Sequence, residues 1–115
     1  MNNFDWAEDI DLAVTVCDTK GTVVYQNKRS RETFGKDENK SMVGQSMIPC
    51  HSERSVGIIH KMLGKNVDNV YTITKQGRKK LIFQTPWRVG GEVRGLVELS
   101  MVLPEGMPHY DRDKK

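Results

Sequence analysis

Among the side chains able to do chemistry in this 115-residue chain, His60 has the most telling neighbours. Val56, Ile59, His60 and Leu63 follow the i, i+3, i+4, i+7 spacing of a core-facing stripe, on a helix predicted from Ser52 to Gly64. A neutral imidazole on such a stripe either ligates a metal centre or hydrogen-bonds a backbone carbonyl at the edge of the core. Cys50 and His51 precede the same helix. Adjacent residues chelate one ion poorly, and no second Cys-x-x-Cys or His-x-x-x-His pair completes a site. His51 and His60 lie about 900° apart round a helix, on opposite faces, so no metal site is predicted. Cys50 stands near the helix N-terminus, where a thiolate is favoured. This makes it the redox candidate, with a half-buried structural cysteine as the competing reading.

No paired carboxylates, nucleophile–base constellation or phosphate-binding loop appears, which argues against an enzyme. The balance of 18 Lys+Arg against 15 Asp+Glu, net +3, is too even to argue for nucleic acid. Lys75, Arg78, Lys79 and Lys80 cluster at a hairpin tip, without the recognition helix or interleaved aromatics of a nucleic-acid reader. They read as a solvated, aggregation-resistant edge. Apolar runs are only a few residues long, far below the roughly 20 needed to span a bilayer. Residues 1–10 carry three acids and no base, the reverse of a secretory signal. With only Cys17 and Cys50, no disulfide framework is expected, and a cytoplasmic setting follows. Hydrophobic residues at 37% suffice for one modest core.

The elements that must position these residues are legible in order. Residues 3–9 read as a short helix capped by Asn3, with Trp6 and Ile10 sharing a face, the whole of 1–10 forming an N-terminal cap. Residues 12–17 and 22–26 are β-branched strands joined by the Asp18-Thr19-Lys20-Gly21 turn. Asn27 sits at an N-cap position before a helix over 28–34, which Gly35 ends. A weak helical turn over 41–48 precedes the Ser52–Gly64 helix. Strands over 67–75, 79–87 and 92–103 follow, separated by Gln76-Gly77 and Gly90-Gly91, which demand antiparallel hairpins. The last strand alternates Val93, Gly95, Val97, Leu99, Met101 and Leu103 against Arg94, Leu96, Glu98, Ser100 and Val102. Residues 104–115 read as a tail. Two strands, three short helices and three strands imply an α+β domain, a five-stranded antiparallel sheet with helices on one face and the first strand beside the last.

This succession resembles the PAS sensory domain family over residues 11 to about 103. The likeness rests on Asp18–Gly21, on Val24-Tyr25 leading to Asn27, and on Phe34-Gly35. It continues through Met42-Val43-Gly44-Gln45-Ser46, Gln76-Gly77 and Gly95-Leu96-Val97. Arg29 and Arg31 depart from the small or apolar residues usual in that helix, and Pro104 and Pro108 interrupt the helix that often follows such domains. The asparagine-cysteine-arginine motif of the flavin-binding light sensors is absent, so the resemblance implies no covalent flavin photocycle. It does imply a ligand cavity faced by Val70, Thr72, Ile82, Gln84, Gly95 and Val97 and closed by Phe34, Met47, Ile59 and His60. Thr72 and Gln84 either orient a small molecule there or satisfy local backbone groups. In haem-binding relatives a histidine on the long helix ligates the iron, which makes His60 the axial-ligand candidate should haem be the cofactor. Tyr71, Ile73, Leu81, Phe83 and Trp87 are left for the outer sheet face, to be covered by Phe4 and Trp6 and by a second subunit. The resulting expectation is a sensory module that binds a small molecule or partner, dimerises, and signals to an output domain. A haem sensor and a ligand-free dimerisation module of a transcriptional or kinase regulator are the alternatives. No direct contact with nucleic acid or membrane is expected.

Overall fold

The computed structural model describes residues 5–34, 43–44, 61, 64 and 67–113. Five strands form one sheet: β1 (Ala13–Asp18), β2 (Val23–Gln26), β3 (Asn69–Lys75), β4 (Arg78–Val89) and β5 (Glu92–Val102). Their order is β2-β1-β5-β4-β3, with every neighbouring pair antiparallel. The first strand does lie beside the last, and β5 occupies the centre. Helix α1 (Lys28–Phe34) packs on β1 and β2.

Turn chemistry sets this order. Asp18 Oδ1 accepts hydrogen bonds from the backbone N–H groups of Lys20 (2.9 Å) and Thr22 (3.0 Å), folding β1 back onto β2. Gln76-Gly77 and Gly90-Gly91 have positive φ at both positions, as two-residue hairpins that follow strand twist require. At Asn27 the predicted cap forms: its side-chain oxygen accepts from the Ser30 N–H at 2.9 Å. The same oxygen accepts from the Val14 N–H (2.9 Å), and its amide donates to the carbonyls of Ala7 and Leu12 (2.8 Å each). One fully buried side chain thus ties the N-terminal segment, β1 and α1 together.

The N-terminal segment differs from expectation. Residues 5–12 run through a turn and bends rather than a capping helix. A helix this short has too few internal hydrogen bonds to persist alone. Here its carbonyls serve Asn27 and Lys28 instead, the Lys28 N–H donating to Glu8 O at 3.0 Å. Arg31 grips the Glu8 carboxylate (2.6 Å) and donates to the Gln26 carbonyl (2.8 Å), while Arg29 pairs with Asp11 (2.6 Å). The two arginines that depart from the family pattern are therefore the clasp of this segment. Of the predicted helices at 41–48 and 52–64, only a Val43-Gly44 turn and Lys61 and Gly64, both helical, fall among the described residues. Residues 104–113 carry no regular structure. No helix among the described residues is long and apolar enough to cross a membrane.

Candidate functional site

Pairing partners in a sheet share a face, so the register assigns every strand residue. Ser30 of α1 identifies the helix-bearing face: its hydroxyl bonds Thr15 Oγ1 (2.5 Å) and accepts from Gln26 Nε2 (2.9 Å). Following the partners outward from Thr15, a single row runs across all five strands: Gln26, Thr15, Glu98, Gln84 and Asn69. Every member is polar. Gln26, Thr15, Glu98 and Gln84 are buried, with Gln84 only 2% and Glu98 6% exposed. The half linking β5, β4 and β3 is a donor chain: Asn69 Nδ2 donates to Gln84 Oε1 (2.9 Å), and Gln84 Nε2 donates to Glu98 Oε1 (2.7 Å).

Mostly apolar rows flank this belt. Cys17, Leu96 and Pro86 lie on one side, and Ala13, Ser100, Ile82 and Tyr71 on the other. Burial, with the charges of Asp18 and Glu98 adding to it, pushes the Cys17 thiol up to about 11, so it is inert as a nucleophile at neutral pH. Tyr71, 39% exposed, holds its phenol above the usual range through burial and the Glu98 charge. Among the described residues no cluster of three or more His, Cys, Asp or Glu side chains is arranged to hold a metal ion.

The register corrects the expected division of residues. Ile82 and Gln84 do face the helix-bearing side, but Val70, Thr72, Gly95 and Val97 do not. Val70 pairs with Phe83, Thr72 with Leu81, Val97 with Thr85 and Gly95 with Trp87, all on the opposite face. Conversely Tyr71 pairs with Ile82, and Ile73 with Lys80, so these two belong to the helix-bearing face and not to the outer one. The outer face carries Leu81, Phe83, Val97, Leu99 and Met101 in partial burial, and Trp87, whose indole N–H donates to the Cys17 carbonyl at 3.1 Å. Trp6 is 56% exposed. The side chain of Phe34, and residues Phe4, Met47, Cys50, His51, Ile59 and His60, lie outside what the structure describes.

Glu98, Asn69 and Ser30 were not singled out by their types or spacing. The resemblance placed Gly95 and Val97 on the cavity side of β5, yet Leu96, Glu98 and Ser100 are the buried residues that share the helix-bearing face. The structure also brings Arg29 to Lys75, Arg78 and Lys80. The four cations line a cleft of about 480 Å³ between α1 and the β3–β4 turn, together with Asp11, Thr33 and Ser100. Burial and then the neighbouring Lys75, Arg78 and Arg29 hold the Lys80 amine below its usual range.

No protein-family model matches the sequence, and a comparison with curated proteins gives no match. Solved structures do match. The PAS domain of histidine kinase ThkA superposes with a TM-score of 0.64 at 16% identity, over 80% of this chain and 99% of that one. The chain has the PAS fold. The PAS domain of Bordetella pertussis BvgS is similar, with a TM-score of 0.62 at 16% identity, over 88% and 83% of the two chains. Vibrio cholerae VqmA gives 0.67 at 13% identity, over 85% of this PAS chain and 48% of VqmA, and VqmA has also been solved bound to DPO.

Proposed function

We propose that this PAS domain senses a small molecule held on the helix-bearing face of the sheet, and relays its occupancy to an output domain or partner protein. The observation that carries the reading is the polar row across the helix-bearing face. A collapsed, ligand-free core would place apolar side chains there, because buried polar groups cost stability unless fully hydrogen-bonded. An apolar surround with a few convergent polar groups is instead how small-molecule sites fix orientation. Gln84 and Glu98 are the contacting residues in this proposal, with Tyr71 and Ile82 beside them. Binding rather than catalysis is the role. Neighbours that include a histidine kinase's PAS domain and VqmA, solved bound to DPO, support it.

The outer face supports a second element, homodimerisation. Leu81, Phe83, Val97, Leu99 and Met101 form a partly exposed apolar surface continuous with Val70, which is exposed. A second copy would remove that surface from water. Native mass spectrometry of freshly purified protein, combined with an absorption spectrum, tests both elements. A bound mass that is lost in Gln84→Leu but kept in Phe83→Glu, with Phe83→Glu monomeric, is the expected result. A Soret band lost in His60→Ala would shift the reading to haem. A chain that carries nothing and takes up no compound would overturn it.

A further inference from the structure

Resting on that reading, we infer that the ligand is an organic cation whose protonated nitrogen is received by Glu98. Glu98 lies in the middle of the central strand, 6% exposed, on the helix-bearing face. One of its carboxylate oxygens accepts from Gln84 at 2.7 Å, and among the described residues nothing else donates to it. Among the described residues of the sheet and α1, the cations near this face are committed elsewhere: Arg31 pairs with Glu8, Arg29 with Asp11, and Lys80 lines the cleft at the end of the sheet. A carboxylate buried with a single neutral hydrogen bond is costly, and proteins retain such groups where a partner of opposite charge completes them.

The orientation of the row sharpens the choice. Gln84 has its oxygen toward Asn69 and its N–H end toward Glu98. All donors in the chain run toward the carboxylate, which ends it as an acceptor. An anionic group placed there would meet Glu98 head-on. A protonated amine would gain the free carboxylate oxygen and lie beside the half-exposed ring of Tyr71, whose π face also favours cations.

The test uses the intact chain and Glu98→Gln, which keeps shape and the acceptor for Gln84 but removes the charge. Melting temperatures are read against a panel of equal numbers of cations, neutral compounds and anions of matched size, beginning with agmatine, histamine, putrescine, succinate and citrate. The compounds that stabilise the wild type should be cations, each losing at least tenfold in affinity, about 1.4 kcal/mol, in Glu98→Gln. Unliganded Glu98→Gln should melt no lower than the wild type, since an uncompensated charge has been removed. Stabilisation by anions or neutral compounds only, equal affinity in the variant, or a variant that melts well below the wild type would each overturn the inference. If nothing in the panel stabilises the wild type, the ligand-sensing proposal itself fails. The melting temperature of unliganded Glu98→Gln then still decides, on its own, whether Glu98 is an uncompensated charge.

Discussion

Replacing Asn27 by alanine should destabilise the domain by about 4 kcal/mol, and the number follows from its four side-chain hydrogen bonds. Loss of the helix cap costs about 1 kcal/mol. The Val14 N–H and the Ala7 carbonyl, both on buried residues, lose their partners, at about 1–3 kcal/mol each. The Leu12 carbonyl is only partly buried, and water replaces the amide there at little cost. Domain stabilities of about 5–15 kcal/mol make this a large fraction of the total. For a chain of this size it corresponds to a fall in melting temperature of about 15 °C. Asn27→Asp is the sharper probe. It keeps both acceptor bonds but sets a carboxylate against two carbonyl oxygens, so its loss at neutral pH should match or exceed that of alanine. Burial and those carbonyls raise the aspartate's folded-state pKa, so the penalty is full above that raised value, shrinks as the pH falls below it, and is gone once the pH reaches the ordinary aspartate value of about 4. Urea unfolding followed by circular dichroism, with an unchanged slope and a shifted midpoint, measures both. A loss under about 1 kcal/mol for alanine, or wild-type stability for the aspartate at pH 7, would refute the assignment of Asn27 as the tie between three segments.

Gly95→Ala should cost about 3 kcal/mol and red-shift tryptophan emission, because a Cβ there would sit 1.9 Å from the Cys17 carbonyl oxygen and 2.6 Å from the Trp87 indole nitrogen; unchanged stability would count against the close packing of Trp87 over β1. Cys17 should resist iodoacetamide at pH 8 in the folded chain and react fully in guanidinium, read by mass spectrometry, since burial keeps its thiol protonated; rapid native labelling would show the site to be open. Glu8→Gln should flatten the acid limb of the stability curve. The hydrogen bond from Arg31 holds the Glu8 carboxyl below the usual range, so its contribution is full above about pH 4.5 and is lost as the pH falls below that value. As the pair is partly exposed, the loss at pH 7 should stay below about 1 kcal/mol, and a variant with the wild-type acid limb would remove Arg31–Glu8 as a contributor.

The turns and the elements they join were determined by local chemistry in the sequence. Asp18–Gly21, Gln76-Gly77 and Gly90-Gly91 each admit few backbone paths, and Asn27 before a helical run has the side chain a cap needs, so strand order and the first helix were legible. The pairing of Val70 with Phe83 was legible too. In a two-residue hairpin even-numbered residues oppose odd-numbered ones, which already separates Val70 and Thr72 from Ile82 and Gln84. The face of β5 was decided only in three dimensions. A register shift between Trp87 and Arg88 moves the pairing by one residue, so that Gln84 meets Glu98 and not Val97. Period-two alternation marks which residues travel together, never which side is covered, and one bulged residue exchanges the two sides for the rest of the strand. That exchange carries a charged residue into the interior, where apolar patterning alone would have placed Val97.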